Sequence, residues 1–190
     1  MKAKLFGAAL LALAVAGCGG KASFTISGTI YGLANEGLVL QNNGGDPLKV
    51  ASGATTFSFP NSISYGTMYN VTVKENPQHM TCSPAGSTGQ GSAGHTTSIN
   101  VVINCTQNSY TLGGTVEGLT GTGLTVINGS FGNQVTITPL ATVFNMGKIP
   151  VGQAYGLAIL TQPKDQVCTL VDGSGVMGDD DRLNVKIVCK

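Results

Sequence analysis

Five cysteines, two histidines and one run of aspartates are the side chains of this 190-residue chain that could do chemistry. Thiols exported to an oxidising compartment form disulfides, whereas thiolates bind metal or attack carbonyl carbon. The cysteines are Cys18, Cys82, Cys105, Cys168 and Cys189, and no Cys-x2-Cys pair of the kind that nucleates a zinc site occurs among them. A hydrolase needs a nucleophile, a base and a group that orients the base. The two histidines, His79 beside Pro77 and His95 in the Gly/Ser/Thr-rich stretch 86–98, read as exposed loop side chains. No nucleophile elbow precedes a helix and no phosphate-cradling loop occurs, so the chain reads as non-enzymatic and without a cofactor. Asp179, Asp180 and Asp181, with Asp172 nearby, offer the hard oxygens that calcium takes. Their spacing misses the EF-hand pattern, and they read as a solvated hairpin tip.

The elements that position these residues come as two copies. Ser23-Phe24-Thr25-Ile26-Ser27-Gly28-Thr29-Ile30-Tyr31-Gly32-Leu33 returns as Ser109-Tyr110-Thr111-Leu112-Gly113-Gly114-Thr115-Val116-Glu117-Gly118-Leu119, an offset of 86 residues. The same offset carries Asn42 onto Asn128, Tyr69 onto Tyr155, Pro77 onto Pro163 and Cys82 onto Cys168. Cys105 answers to Cys189 after a net deletion of two residues. A period this long suits two tandem domains, here 23–107 and 108–190, rather than solenoid units.

Residues 1–17 are a targeting segment: Lys2 and Lys4, an apolar run from Leu5 to Ala16, then Val15-Ala16-Gly17-Cys18. The run is shorter than the roughly 20 residues a membrane span needs. With small residues before a cysteine, it resembles a bacterial lipoprotein signal. That resemblance implies that Cys18 becomes the first mature residue, carries a thioether-linked diacylglycerol and an N-acyl chain such as palmitate, and anchors the protein to a membrane. Gly19 in place of Asp implies the outer membrane, and 18–22 become a lipidated tether. With Cys18 taken, four cysteines remain, and a duplicated domain should close its own pair: Cys82 with Cys105, and Cys168 with Cys189.

Within each copy apolar residues alternate at period two, as in half-buried strands. Phe24, Ile26 and Ile30 face one way, and the pattern continues through Leu38 and Leu40, Phe57 and Phe59, Tyr69, Val71 and Val73, then Val101, Ile103 and Cys105. The second copy follows through Leu112, Val126, Phe144, Met146, Tyr155, Val185, Ile187 and Cys189. Six or seven short strands in about 85 residues predict a small antiparallel sandwich. Gly28-Thr29-Ile30-Tyr31-Gly32-Leu33, Gly37-Leu38-Val39-Leu40-Gln41-Asn42 and Tyr69-Asn70-Val71-Thr72-Val73 resemble the tandem Ig-like or transthyretin-like repeats of bacterial surface lipoproteins, related to collagen-adhesin B-type domains. The resemblance implies an all-β chain of two sandwiches working as stalk, spacer or binding module. It departs from the adhesin domains in having no lysine for an isopeptide bond in 24–30 or 110–116, a bracing role left to the disulfides.

From Cys18 to Lys190 eight basic side chains face nine acidic ones. That balance provides no basic face for nucleic acid. The expected function is therefore a structural spacer, adhesive or assembly module of the cell envelope, with a protein or glycan partner at the surface. The alternative is a glycan- or calcium-binding module using the loops 86–97 and 172–181. Glycan platforms favour tryptophan, which this chain lacks, leaving Tyr31, Tyr65 and Phe131 outside core parity. Low charge also leaves edge strands such as Leu48 to Val50 open to self-association.

Overall fold

The computed structural model of the protein describes residues 22–190, so the expected targeting segment and Cys18 lie outside the described residues. The first copy folds into β1 (Ser23–Tyr31), β2 (Val39–Asn42), β3 (Gly45–Lys49), β4 (Thr56–Ser64), β5 (Met68–Glu75), β6 (Met80–Pro84), β7 (Gln90–Ser92) and β8 (Ile99–Gln107). The second gives β9 (Ser109–Glu117), β10 (Thr125–Asn128), β11 (Gln134–Thr136), β12 (Val143–Pro150), β13 (Ala154–Thr161), β14 (Cys168–Val171), β15 (Ser174–Val176) and β16 (Arg182–Cys189). The fold is all-β, with no helix among the described residues.

Each copy is a sandwich of two four-stranded sheets: β4-β1-β8-β6 over β3-β2-β5-β7, and β12-β9-β16-β14 over β11-β10-β13-β15. Every ladder is antiparallel except one per sandwich, where the first strand runs parallel to the last, β1 with β8 and β9 with β16. Consecutive strands β1 and β2 belong to opposite sheets, unlike the partition of an immunoglobulin constant domain, whose first two strands share a sheet. The expected six or seven strands become eight because β7 and β15 are three-residue strands centred on Gly91 and Gly175. Their missing side chains make room for a ring: a Cβ on Gly91 would lie 2.7 Å from the Tyr69 hydroxyl, and one on Gly175 would lie 2.8 Å from that of Tyr155. The Tyr155 hydroxyl accepts from Arg182 Nε at 3.3 Å.

Alternation places Ile26, Ile30, Leu40, Phe59, Val101 and Ile103 in one core, and Leu112, Val126, Phe144, Met146, Val185 and Ile187 in the other. Inside both cores one polar side chain is retained at the end of the second strand. Asn42 Oδ1 accepts from Asn70 N at 3.0 Å, and Asn128 Oδ1 accepts from Gly156 N at 3.2 Å. Each amide satisfies a strand N–H that would otherwise be buried unpaired. The same device recurs before the disulfide, where Asn76 Oδ1 and Gln162 Oε1 accept from Cys82 N and Cys168 N, both at 2.8 Å.

The disulfides are Cys82–Cys105 and Cys168–Cys189, each between directly opposed residues of neighbouring strands. All four cysteines face the core, as the parity of the last strand predicts. Closing loops with sequence separations of 23 and 21 residues contributes roughly 3 kcal/mol each in the chain-entropy model. At the sheet edges, β3 carries Asp46, Pro47 and Lys49, and β4 carries Pro60. Proline and charge obstruct the edge pairing that low net charge alone would leave open.

The repeated glycines mark the closest approaches. A Cβ on Gly28 would lie 1.9 Å from the Val101 carbonyl oxygen and 2.6 Å from the Phe57 ring; on Gly114 it would meet Val185 O at 1.8 Å. Gly32 and Gly118 sit at positive φ, 77° and 75°, against the carbonyls of Cys105 and Cys189. Gly28→Ala is therefore expected to lower stability by about 3 kcal/mol through overpacking against backbone. Urea unfolding of Gly28→Ala, beside Gly156→Ala where a Cβ meets nothing within 4 Å, checks this: only the first midpoint should fall.

Candidate functional site

The two sandwiches are joined by one residue, Asn108, between the end of β8 and the start of β9. Its backbone and its side-chain oxygen are all engaged. The N–H donates to His79 O at 2.8 Å, the carbonyl accepts from Val151 N at 2.9 Å, and the side-chain oxygen accepts from Thr81 Oγ1 at 2.8 Å. Gln107 Nε2 reaches Val151 O at 3.3 Å. His79 occupies a left-handed position, φ 58°, in the turn after buried Pro77, and its repeat counterpart Asp165 has the same φ. That turn points the imidazole at the second sandwich, where His79 Nδ1 meets Asp179 Oδ1 at 2.8 Å. Both partners are about half exposed, so the pair contributes on the order of 0.5 kcal/mol and fixes orientation more than stability.

Asp179, Asp180 and Asp181 lie in the connection between β15 and β16, which belong to opposite sheets, so the segment crosses from one sheet to the other where the sequence suggested a hairpin tip. They do not act as a set. Asp179 faces His79, Asp181 Oδ1 accepts from Thr111 N at 2.7 Å, and Asp180 is exposed. Asp172 lies apart at the left-handed turn between β14 and β15, φ 57°. A shallow depression of about 180 Å³ runs along 178–182, and Arg182 brings a cation into it. Among the described residues no three His, Cys, Asp or Glu side chains converge in a way that could hold a metal, while calcium takes six to eight oxygens. The described hydrogen bonds also give the His79 ring no hydroxyl or thiol partner that would complete a nucleophile–base pair.

The aromatic candidates are dispersed. Tyr31 ends β1, Tyr65 follows β4 beside the start of β1, and Phe131 belongs to the β10–β11 hairpin of the other sandwich. The length of β1 alone separates the first two by about 25 Å. No shared platform results.

A feature that alternation does not announce lies on the outer face of the second sandwich. The ladder of β16 on β9 shifts between Arg182 and Val185, so two residues of β16 oppose Gly113 alone. This bulge turns Leu183 outward to 55% exposure, whereas its counterpart Ile99 is buried at 2%. With Val143, Phe144, Thr111, Thr115 and Asn145, Leu183 lines a groove of about 530 Å³. The corresponding face of the first sandwich presents Thr25, Ser27, Thr29, Ser58 and Asn100.

The sequence matches no protein-family model, and the comparison with curated proteins found no match either. Among solved structures, the chain is similar to the Bacillus anthracis TIE protein at 14% identity and a TM-score of 0.46, over 87% of this chain and 34% of that one. It thus spans about a third of that protein's length. It is also similar to the major pilin protein (T3.2) from Streptococcus pyogenes serotype GAS13637, at 14% identity and a TM-score of 0.28, over 89% of this chain and 96% of the other. At such identity and overlap, neither likeness says what this chain does.

With two of the three adjacent carboxylates already engaged, millimolar calcium should leave the unfolding temperature unchanged, and a calorimetric titration checks this. A rise that Asp180→Asn removes would restore the loop as a calcium site.

Proposed function

We propose that the protein is a non-enzymatic, lipid-anchored module of the bacterial cell envelope whose two sandwiches form a short rigid stalk, serving as spacer, adhesive or assembly element. The observation that carries this is the polarity of the fold. Because first and last strands run parallel, the chain enters each sandwich at one end and leaves at the other. With Asn108 tied to both sandwiches, the two stand in series, about 60 Å end to end at 3.3 Å per strand residue. The cysteine-terminated targeting segment supports attachment at the entry end, and Gly19 supports the outer membrane as destination.

A ligand-binding module working through the loops 86–97 and 172–181 has less in its favour, since Asp179 and Asp181 are occupied within the protein. The apolar groove at Leu183 is the feature that suits a protein partner instead.

Cys18→Ala should abolish the lipid mass increment and move the protein from the membrane pellet to the soluble fraction of cells. Unchanged mass and fractionation would overturn the anchor. Protease treatment of intact cells against permeabilised ones then separates a surface role, with digestion from outside, from a periplasmic one.

A further inference from the structure

We propose that the entry end of the first sandwich is a membrane-docking surface, with Tyr65 and Met68 resting in the interface of the bilayer that holds the lipid on Cys18. The inference rests on the anchored reading and adds to it a site and an orientation.

The two copies show what this end is built for. In the second sandwich, Val151 N donates to Asn108 O, and Val151 is buried at 7% where the first sandwich meets it. The equivalent bond in the first sandwich runs from Tyr65 N to Ala22 O at 3.0 Å, but Tyr65 is 67% exposed and Met68 64% exposed. Among the described residues this is thus a contact end that nothing covers. Tyr65 is held rather than loose: its ring packs on Phe24 with centroids 6.5 Å apart, and a Cβ on Gly94 would lie 2.3 Å from it. A fixed, outward aromatic beside a methionine, at the point where the chain reaches the fold, needs an occupant.

The tether indicates which one. Ala22 is four residues beyond Cys18, so the fold begins within about 14 Å of the lipidated residue even when the chain is fully extended. Segments 64–68 and 93–98, which form this end, contain no Asp, Glu, Lys or Arg. No fixed charge must be desolvated on approach to headgroups, and tyrosine suits the boundary between apolar chains and water. A second copy is the competing occupant: the repeat offsets put Asp165 where His79 stands and His95 where Asp179 stands, so an intermolecular joint would reverse the internal histidine–aspartate contact.

The chain contains no tryptophan, so the indole introduced by Tyr65→Trp is a unique reporter. Met68→Trp serves as a second reporter at the same end, and Leu140→Trp, at a 78% exposed position of the far sandwich, serves as the distal control. Each lipidated full-length variant is reconstituted into phosphatidylethanolamine–phosphatidylglycerol vesicles with and without brominated acyl chains. The expected result is blue-shifted emission from Tyr65→Trp and Met68→Trp that falls by about half with brominated lipid, the depth of an interfacial side chain, and unaffected emission from Leu140→Trp. Protein that floats with vesicles in a Cys18-dependent way while all three variants emit as in water would overturn docking and leave the anchor standing. Protein with an unmodified Cys18 that does not float would overturn the anchor and docking together. A concentration-dependent blue shift of Tyr65→Trp in a Cys18→Ser background without vesicles would give this end to a second copy.

Discussion

The first and last strands of each sandwich approach so closely that one position between them can carry no side chain. Gly28 and Gly114 sit where a Cβ would fall within 2 Å of a carbonyl oxygen on the neighbouring strand, and everything else follows from keeping that contact. It brings the beginning and end of each copy together as the central pair of one sheet. The disulfide then fastens the last strand to the strand beyond it, so three of the four strands in that sheet are coupled by more than side-chain packing. A domain of about 85 residues has a small core for its surface, and this reinforcement lies where the longest loops in sequence are closed.

Much of this was legible from the duplication. The offset of 86 residues places β9 on β1, β10 on β2 and β13 on β5 without adjustment, and the cysteine pairs fall inside the copies as duplication requires. The parallel pairing was not legible, because a strand shows the same period-two pattern whichever way its neighbour runs. Nor were β7 and β15, whose central glycines carry no pattern. The chemistry of Asn42 and Asn128 was present as a match of letters, but that each satisfies a buried backbone donor appears only when the fifth strand of each copy is seen beside it.

What comparison of the copies could not show is what they do not share. The His79–Asp179 pair links one copy to the other and has no equivalent within either. Leu183 aligns with a core isoleucine, yet a one-residue bulge reverses its direction and opens a groove on the second sandwich alone. The scaffold is common to both copies while the surfaces have diverged, the first outer face hydroxyl- and amide-rich, the second apolar around Val143, Val171 and Leu183. Function on a scaffold of this kind resides in such differences.

The parallel pairing of first and last strands also has a mechanical meaning. A pull applied between the two ends of the chain draws β1 and β8 in opposite directions along their shared ladder. The hydrogen bonds from Ile26–Ile99 to Tyr31–Asn104 then bear force together, in shear, instead of opening one after another like a zip. The second sandwich repeats the arrangement, and the disulfide behind each last strand keeps it from peeling away sideways. A chain wired in this way is suited to carrying tension along its length.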